Sequence, residues 1–139
     1  MEVLIPTDGS DAAHRGIDKG LELAKREGGR VHLLYVVDER RHGGPDTGYS
    51  SGELFIEKFE DEALEHLESA LDEANRRGVE GTTACARGRP EEVILDYARE
   101  NDIDRIVMGI HGPPVRDRIP KSGTSGHVRR SADVPVEPV

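Results

Sequence analysis

The stretch VLIPTDGSDAAHRGIDKGLELAKREGG, residues 3–29, sets the pattern for the whole chain. Val3 to Pro6 is a short apolar run that breaks into Thr-Asp-Gly-Ser. Such a run ahead of turn residues fits a buried strand entering a tight turn. Ser10 has a hydroxyl that can accept from a backbone N–H of the next turn, and Asp11 puts negative charge at a helix start. Ala13, Ile17, Leu21 and Ala24 then recur at helical spacing, and Gly28–Gly29 stops the helix. Gly16 and Gly20 fall on or near the same face. Each costs about 1 kcal/mol of helix propensity relative to Ala. Close approach of helix to sheet is the compensation expected.

The same alternation continues. Val31 to Val37 reads as a second strand, and HGGPDTGYSSG, residues 42–52, as a mobile loop. Glu53 to Arg77 reads as a long helix with Ile56, Phe59, Ala63, Leu67, Ala70 and Ala74 along one stripe and Gly78 as its stop. Thr82 to Ala86 is a short strand. Pro90, followed by Glu91 and Glu92, opens a third helix whose apolar face is Val93, Ile94, Tyr97 and Ala98. Ile106 to Met108 is a buried strand, Val128 lies in a last helix, and Val134 to Val136 forms a final edge strand. Strands alternating with helices predict an α/β fold: one domain over residues 1–139, with an open, doubly wound, parallel sheet and helices on both faces. There is no internal repeat and no linker.

The 139 residues suit a single core. No apolar run approaches bilayer length and the N-terminus runs straight into MEVLIPTDGS, so neither a transmembrane helix nor a signal peptide is expected. The single cysteine, Cys85, excludes an internal disulfide and reads as a small buried apolar residue; a reducing cytoplasm is the default. A net charge of −9, from 28 acidic and 19 basic residues, argues against nucleic-acid binding through a basic face. Of the basic residues, 15 are Arg and 4 are Lys. This Lys-poor acidity fits a halophilic protein in a salt-rich cytoplasm, or an ordinary acidic protein of a GC-rich genome.

In an open sheet of this kind, ligands sit beyond the carboxyl ends of the strands where strand order reverses. With the first strand central, its turn PTDGS would face MGIHG, the turn of the fourth strand. Asp8 can accept from ribose hydroxyls or help hold a divalent ion through phosphate oxygens; taken alone it reads as a turn and capping residue. Gly109 and Gly112 leave room for a ligand to approach backbone N–H groups. Gly123 and Thr124 could open the last helix and offer N–H groups and a hydroxyl to phosphates. Two ordinary glycine turns would look the same. Neither a Walker loop nor a Rossmann fingerprint occurs. His111 has no second histidine at ligand spacing, so a loop-positioning or ligand-contact role is preferred, and His14, His32, His42 and His66 read as surface or structural.

VLIPTDGS, GRPEEVILDYA, DRIVMGIHG and ADVPV occur in the order seen in the universal stress protein (UspA-like) family, and the chain resembles that family along its whole length. The resemblance implies strand order 3-2-1-4-5, an adenine nucleotide α-hydrolase-like fold, a homodimer, and in one branch ATP bound through G-x2-G-x9-G-[ST]. Carried over, Pro6, Thr7 and Asp8 match the turn that meets adenine and ribose, and Val36 matches an adenine contact. Met108, Gly109, His111 and Gly112 match the strand-four turn, and Gly123 with Thr124 matches the closing Gly-[ST]. Ten residues, not nine, separate Gly112 from Gly123, and Pro113 and Pro114 replace residues that carry an N–H. Arg116, Arg118 and Lys121 could compensate by charge, or form a solvated basic loop. In the last strand, which in the family often forms the dimer contact, Pro138 removes a ladder donor and Glu137 would resist burial.

Three functions follow. The first is a cytoplasmic stress-response protein that binds ATP or another adenine nucleotide as a regulatory ligand, with Mg2+, the loop from Arg40 to Gly52 folding over the site; no hydrolytic base stands out, so turnover is at most slow. The second is a nucleotide-free dimeric interaction module, favoured by the prolines and the irregular spacing. Gly109→Val should abolish ATP binding under the first reading and do little beyond modest destabilisation under the second. The third, an enzyme using Asp8 or His111, lacks an insertion long enough for a second substrate pocket.

Overall fold

The computed structural model describes residues 1–38, 52–109 and 124–139, with the side chains of all of these except residues 52–59, 124 and 125. The elements run β1 (Glu2–Thr7), α1 (Asp11–Glu27), β2 (Arg30–Asp38), α2 (Gly52–Arg76), β3 (Gly81–Gly88), α3 (Pro90–Glu100), β4 (Arg105–Met108), α4 (Thr124–Ser131) and β5 (Val136–Pro138). The sheet has the order β3-β2-β1-β4-β5, and every neighbouring pair is parallel. Among the described residues no helix is long and apolar enough to cross a membrane.

Strand alternation divides the core between the two faces. Val3 and Ile5 of β1, Val31 and Leu33 of β2 and Val107 of β4 meet Ile17, Leu21 and Ala24 of α1 and Leu67, Ala70 and Ala74 of α2. Leu4, Leu34, Ile106 and Met108 turn the other way, onto Ile94 and Leu95 of α3 and Val128 of α4. The expected stripe of α2 is thus core from Ala63 onward; the side chains of Ile56 and Phe59 lie outside the described residues.

Helix α1 is built as its sequence implies. Ser10 Oγ accepts from Ala13 N at 3.1 Å, and Gly29 N donates to Ala24 O at 2.7 Å beyond the last turn. Its glycines let it lie close on the sheet. A methyl at Gly20 would fall 2.4 Å from Ile5 Cδ1, and one at Gly16 would fall 2.7 Å from Gly109 N.

Two expectations are corrected. Cys85 is exposed, not buried. β3 is an edge strand whose contact with the α3 face is made by Ala84 and Ala86, so Cys85 points to the opposite face, where cover is incomplete. The last strand is Val136–Pro138, not Val134–Val136. Its ladder explains why proline is tolerated. Ile106 N donates to Pro135 O at 3.0 Å and Val139 N donates to Met108 O at 2.8 Å. Residues 135, 137 and 139 therefore face β4, and the missing N–H of Pro138 faces the outer edge, so the ladder to β4 loses nothing. Glu137 stays partly exposed and accepts from Arg105 Nη1 at 3.4 Å.

At the amino ends of the strands His32 is buried at 8% exposure. One ring nitrogen lies 2.9 Å from the Tyr97 hydroxyl and the other 3.0 Å from Glu2 Oε2, a structural role for this histidine.

Candidate functional site

From β1 the chain winds through β2 to β3, then crosses back to β4 and β5, so strand order reverses between β1 and β4. The crevice beyond the carboxyl ends of these two strands is where ligands bind in open α/β sheets.

The β1 turn is held by its own short side chains. Thr7 is 6% exposed and its Oγ1 accepts from Gly9 N at 3.3 Å. Asp8 is exposed and its Oδ1 accepts from Ser10 N at 2.9 Å. A carboxylate has acceptor capacity beyond that one bond, so Asp8 can also serve a ribose hydroxyl. The buried Thr7 side chain serves the turn, and any ligand contact it makes runs through its backbone.

Pro6, Val36 and Met108 share the face covered by α3 and α4. Val36 and Met108 pack in that core, and Pro6 lies two residues after Leu4 of the same core. Pro6 pairs in register with Leu34, two residues before Val36. Two residues past the Leu4–Ile106 pair come Pro6 and Met108 themselves. The strand ends thus bring an apolar wall together beside Asp8.

Gly109 carries a structural demand that its sequence neighbourhood does not reveal. A methyl there would lie 1.8 Å from Ala12 O and 2.3 Å from Ala12 C. A glycine is demanded here by backbone contact with the first turn of α1, whatever its N–H meets on the other side, so Gly109→Val would disrupt the fold. The same contact joins the two turns: Ala12 is four residues after Asp8, and Gly109 ends β4. His111, Gly112 and Gly123 lie outside the described residues, as do Pro113, Pro114, Arg116, Arg118, Lys121 and residues 39–51; Thr124 is the first residue of α4.

Two residues at this edge escaped sequence reasoning. The Tyr35 hydroxyl donates to Asp8 O at 3.1 Å. Burial, and then the charges of Asp8, Glu62 and Cys85, push its phenol above the ordinary value of 10.0, so it remains a donor at neutral pH. His66 of α2 stacks on Tyr35 with ring centroids 6.1 Å apart and planes 10° from parallel. Its imidazole also lies against Gly9: Nε2 would be 2.7 Å from a methyl there. The only sequence signals were that Tyr35 precedes Val36 and that His66 flanks the apolar stripe.

Residues 1–137 match the universal stress protein family. The chain belongs to that family. A universal stress protein of Methanocaldococcus jannaschii is 32% identical over 136 residues, which is 97% of this chain and 79% of the relative. The crystal structure of a universal stress protein from Burkholderia pseudomallei superposes with a TM-score of 0.82 at 28% identity, covering 99% of this chain and 94% of that one. A universal stress protein of Archaeoglobus fulgidus, solved in complex with dAMP, shares the fold, with a TM-score of 0.67 at 20% identity over 99% of this chain and 96% of that one. The strand order expected of a universal stress protein is the order observed.

Proposed function

We propose that this chain binds an adenine nucleotide, ATP with Mg2+, between the β1 and β4 turns, as a regulatory ligand in the stress response of a cytoplasm. The observation that carries the reading is the exposed Asp8 beside the wall of Pro6, Val36 and Met108 at the point where strand order reverses. Apolar side chains with one well-placed polar group suit a nucleoside. The residues present fit the ligand: adenine lies on Val36 and Met108, and the ribose diol donates to Asp8. The resemblance assigns the phosphates to Gly112, Gly123 and Thr124, and Thr124 stands at the positive end of α4. Mg2+ would be carried on the phosphate oxygens with help from Asp8. That a related fold was solved with dAMP supports the choice of an adenine nucleotide. In this reading the nucleotide is a ligand whose binding shifts a conformation or a partner preference, with slow turnover at most. The protein acts as a homodimer held by a surface other than the outer edge of β5, where Pro138 removes a donor.

Calorimetric titration with ATP and AMP, each with Mg2+, at low and high salt tests the reading. ATP should bind, AMP more weakly, and Asp8→Asn should weaken ATP by about tenfold or more, since it keeps the turn-closing acceptor but removes the charge. Absence of heat with both ligands, from protein that releases no nucleotide on denaturation, would leave the nucleotide-free interaction module as the function.

A further inference from the structure

The β1 turn is ambiguous on its own. Gly9 has φ +79°, and a glycine there also tolerates the conformation in which the Asp8–Gly9 peptide is flipped. The flip reverses the Asp8 carbonyl and swings Gly9 N–H away from Thr7 Oγ1, which loosens the turn in which Ser10 N holds the Asp8 carboxylate. Two side chains from outside the turn bear on that peptide. The Tyr35 hydroxyl, from the end of β2, holds the Asp8 carbonyl at 3.1 Å. The His66 imidazole, from the middle of α2, covers the Gly9 α-carbon: its Nε2, Cδ2 and Cε1 would lie 2.7, 2.8 and 3.0 Å from a methyl at that position. The two rings are stacked on each other, so His66 backs Tyr35 as well as Gly9.

We infer that Tyr35 and His66 are positioning residues: together they clamp the Asp8–Gly9 peptide in one orientation and so preset the Asp8 carboxylate for a ribose diol. This rests on the nucleotide reading above. Tyr35 holds the carbonyl and His66 holds Tyr35 and closes the space into which Gly9 would swing. Presetting the turn removes an ordering cost that binding would otherwise bear. Its effect falls on the ribose hydroxyls and spares base and phosphates.

The test has two arms on the full chain. In the first, nucleotide-free protein is followed through the amide resonances of Gly9 and Ser10. Wild type should give one set; Tyr35→Phe and His66→Ala should give two sets or exchange broadening, and His66→Phe, which keeps a stacking ring, should restore one. In the second, ATP and 2′,3′-dideoxy-ATP are titrated calorimetrically. Tyr35→Phe and His66→Ala should each lose about fivefold for ATP, the worth of one ordinary hydrogen bond, and less than twofold for the dideoxy ligand. A single unshifted set in Tyr35→Phe and His66→Ala overturns the clamp whatever the titrations give. Equal losses for both ligands overturn the link to ribose. If the resonances split but wild type binds neither nucleotide, the clamp on the turn stands and the nucleotide reading falls.

Discussion

Gly109→Ala adds one methyl at the most crowded backbone contact described. The new carbon would sit 1.8 Å from Ala12 O and 2.3 Å from Ala12 C. Ordinary carbon–oxygen contact is near 3.3 Å, so the β4 turn and the start of α1 must part by roughly 1.5 Å. The obstacle is backbone and cannot rotate away, which places the cost at the upper end of the overpacking range, about 3 kcal/mol. For a chain of this size that is about 10 °C in Tm. Gly20→Ala is the control. Its methyl would meet Ile5 Cδ1 at 2.4 Å and Cγ1 at 2.7 Å, a fully buried side chain that must repack but is not backbone. About 1 kcal/mol of helix propensity offsets part of that strain, so its net loss should be about 1–2 kcal/mol, below that of Gly109→Ala. Urea unfolding of nucleotide-free protein, followed by circular dichroism with the slope compared between variants, measures both. Gly109→Ala as stable as wild type, or no worse than Gly20→Ala, would refute the backbone contact.

Other expectations are independent of that contact. Cys85 is exposed, yet burial of its sulfur, followed by the nearby Glu60 charge and partly opposed by Arg87, pushes the thiol above the ordinary 9.0. The pH profile of its alkylation should therefore have a midpoint above that of a free thiol; a midpoint below it contradicts this environment. Glu73 accepts from Arg77 and Arg76, and these bonds hold its carboxyl below the ordinary 4.5. A depressed folded value means stability present above pH about 4.5 and lost as pH falls through the lower folded value. Glu73→Gln should flatten the acid limb of the stability curve, and an unchanged limb would rule the contribution out. Tyr97→Phe takes the 2.9 Å partner from a buried His32 nitrogen and leaves Thr82 Oγ1 at 3.5 Å. It should cost about 1–3 kcal/mol in urea unfolding, and a loss under about 0.5 kcal/mol would show the nitrogen satisfied without it.

Local signals carried the fold. Ser10, the apolar spacing of α1 and the glycines after it marked the first unit, because capping and periodicity act within a few residues. Family resemblance supplied the strand order. What stayed hidden depended on contacts distant in sequence. Nothing near Gly109 says that its neighbour is Ala12, so its glycine was read as room for a ligand. Tyr35 and His66 are 31 positions apart and meet only because β2 and α2 pack on one face. Cys85 stands among small uncharged residues that read as core, but on an edge strand with incomplete cover alternate positions are exposed. Of the site, the turn at Asp8 was legible from the reversal of strand order, whereas Pro6, Thr7, Val36 and Met108 came from the family resemblance.

The outward backbone of β5 has a further meaning for crowding. On that flank only the odd-numbered amides are spoken for by β4, and of the even-numbered ones Val136 keeps its hydrogen while Pro138 has a ring in its place. A foreign strand laid alongside would find one tooth of the zip and miss the next. Edge-to-edge pairing between copies thus finds one backbone donor fewer on this flank, which disfavours extension of the sheet there.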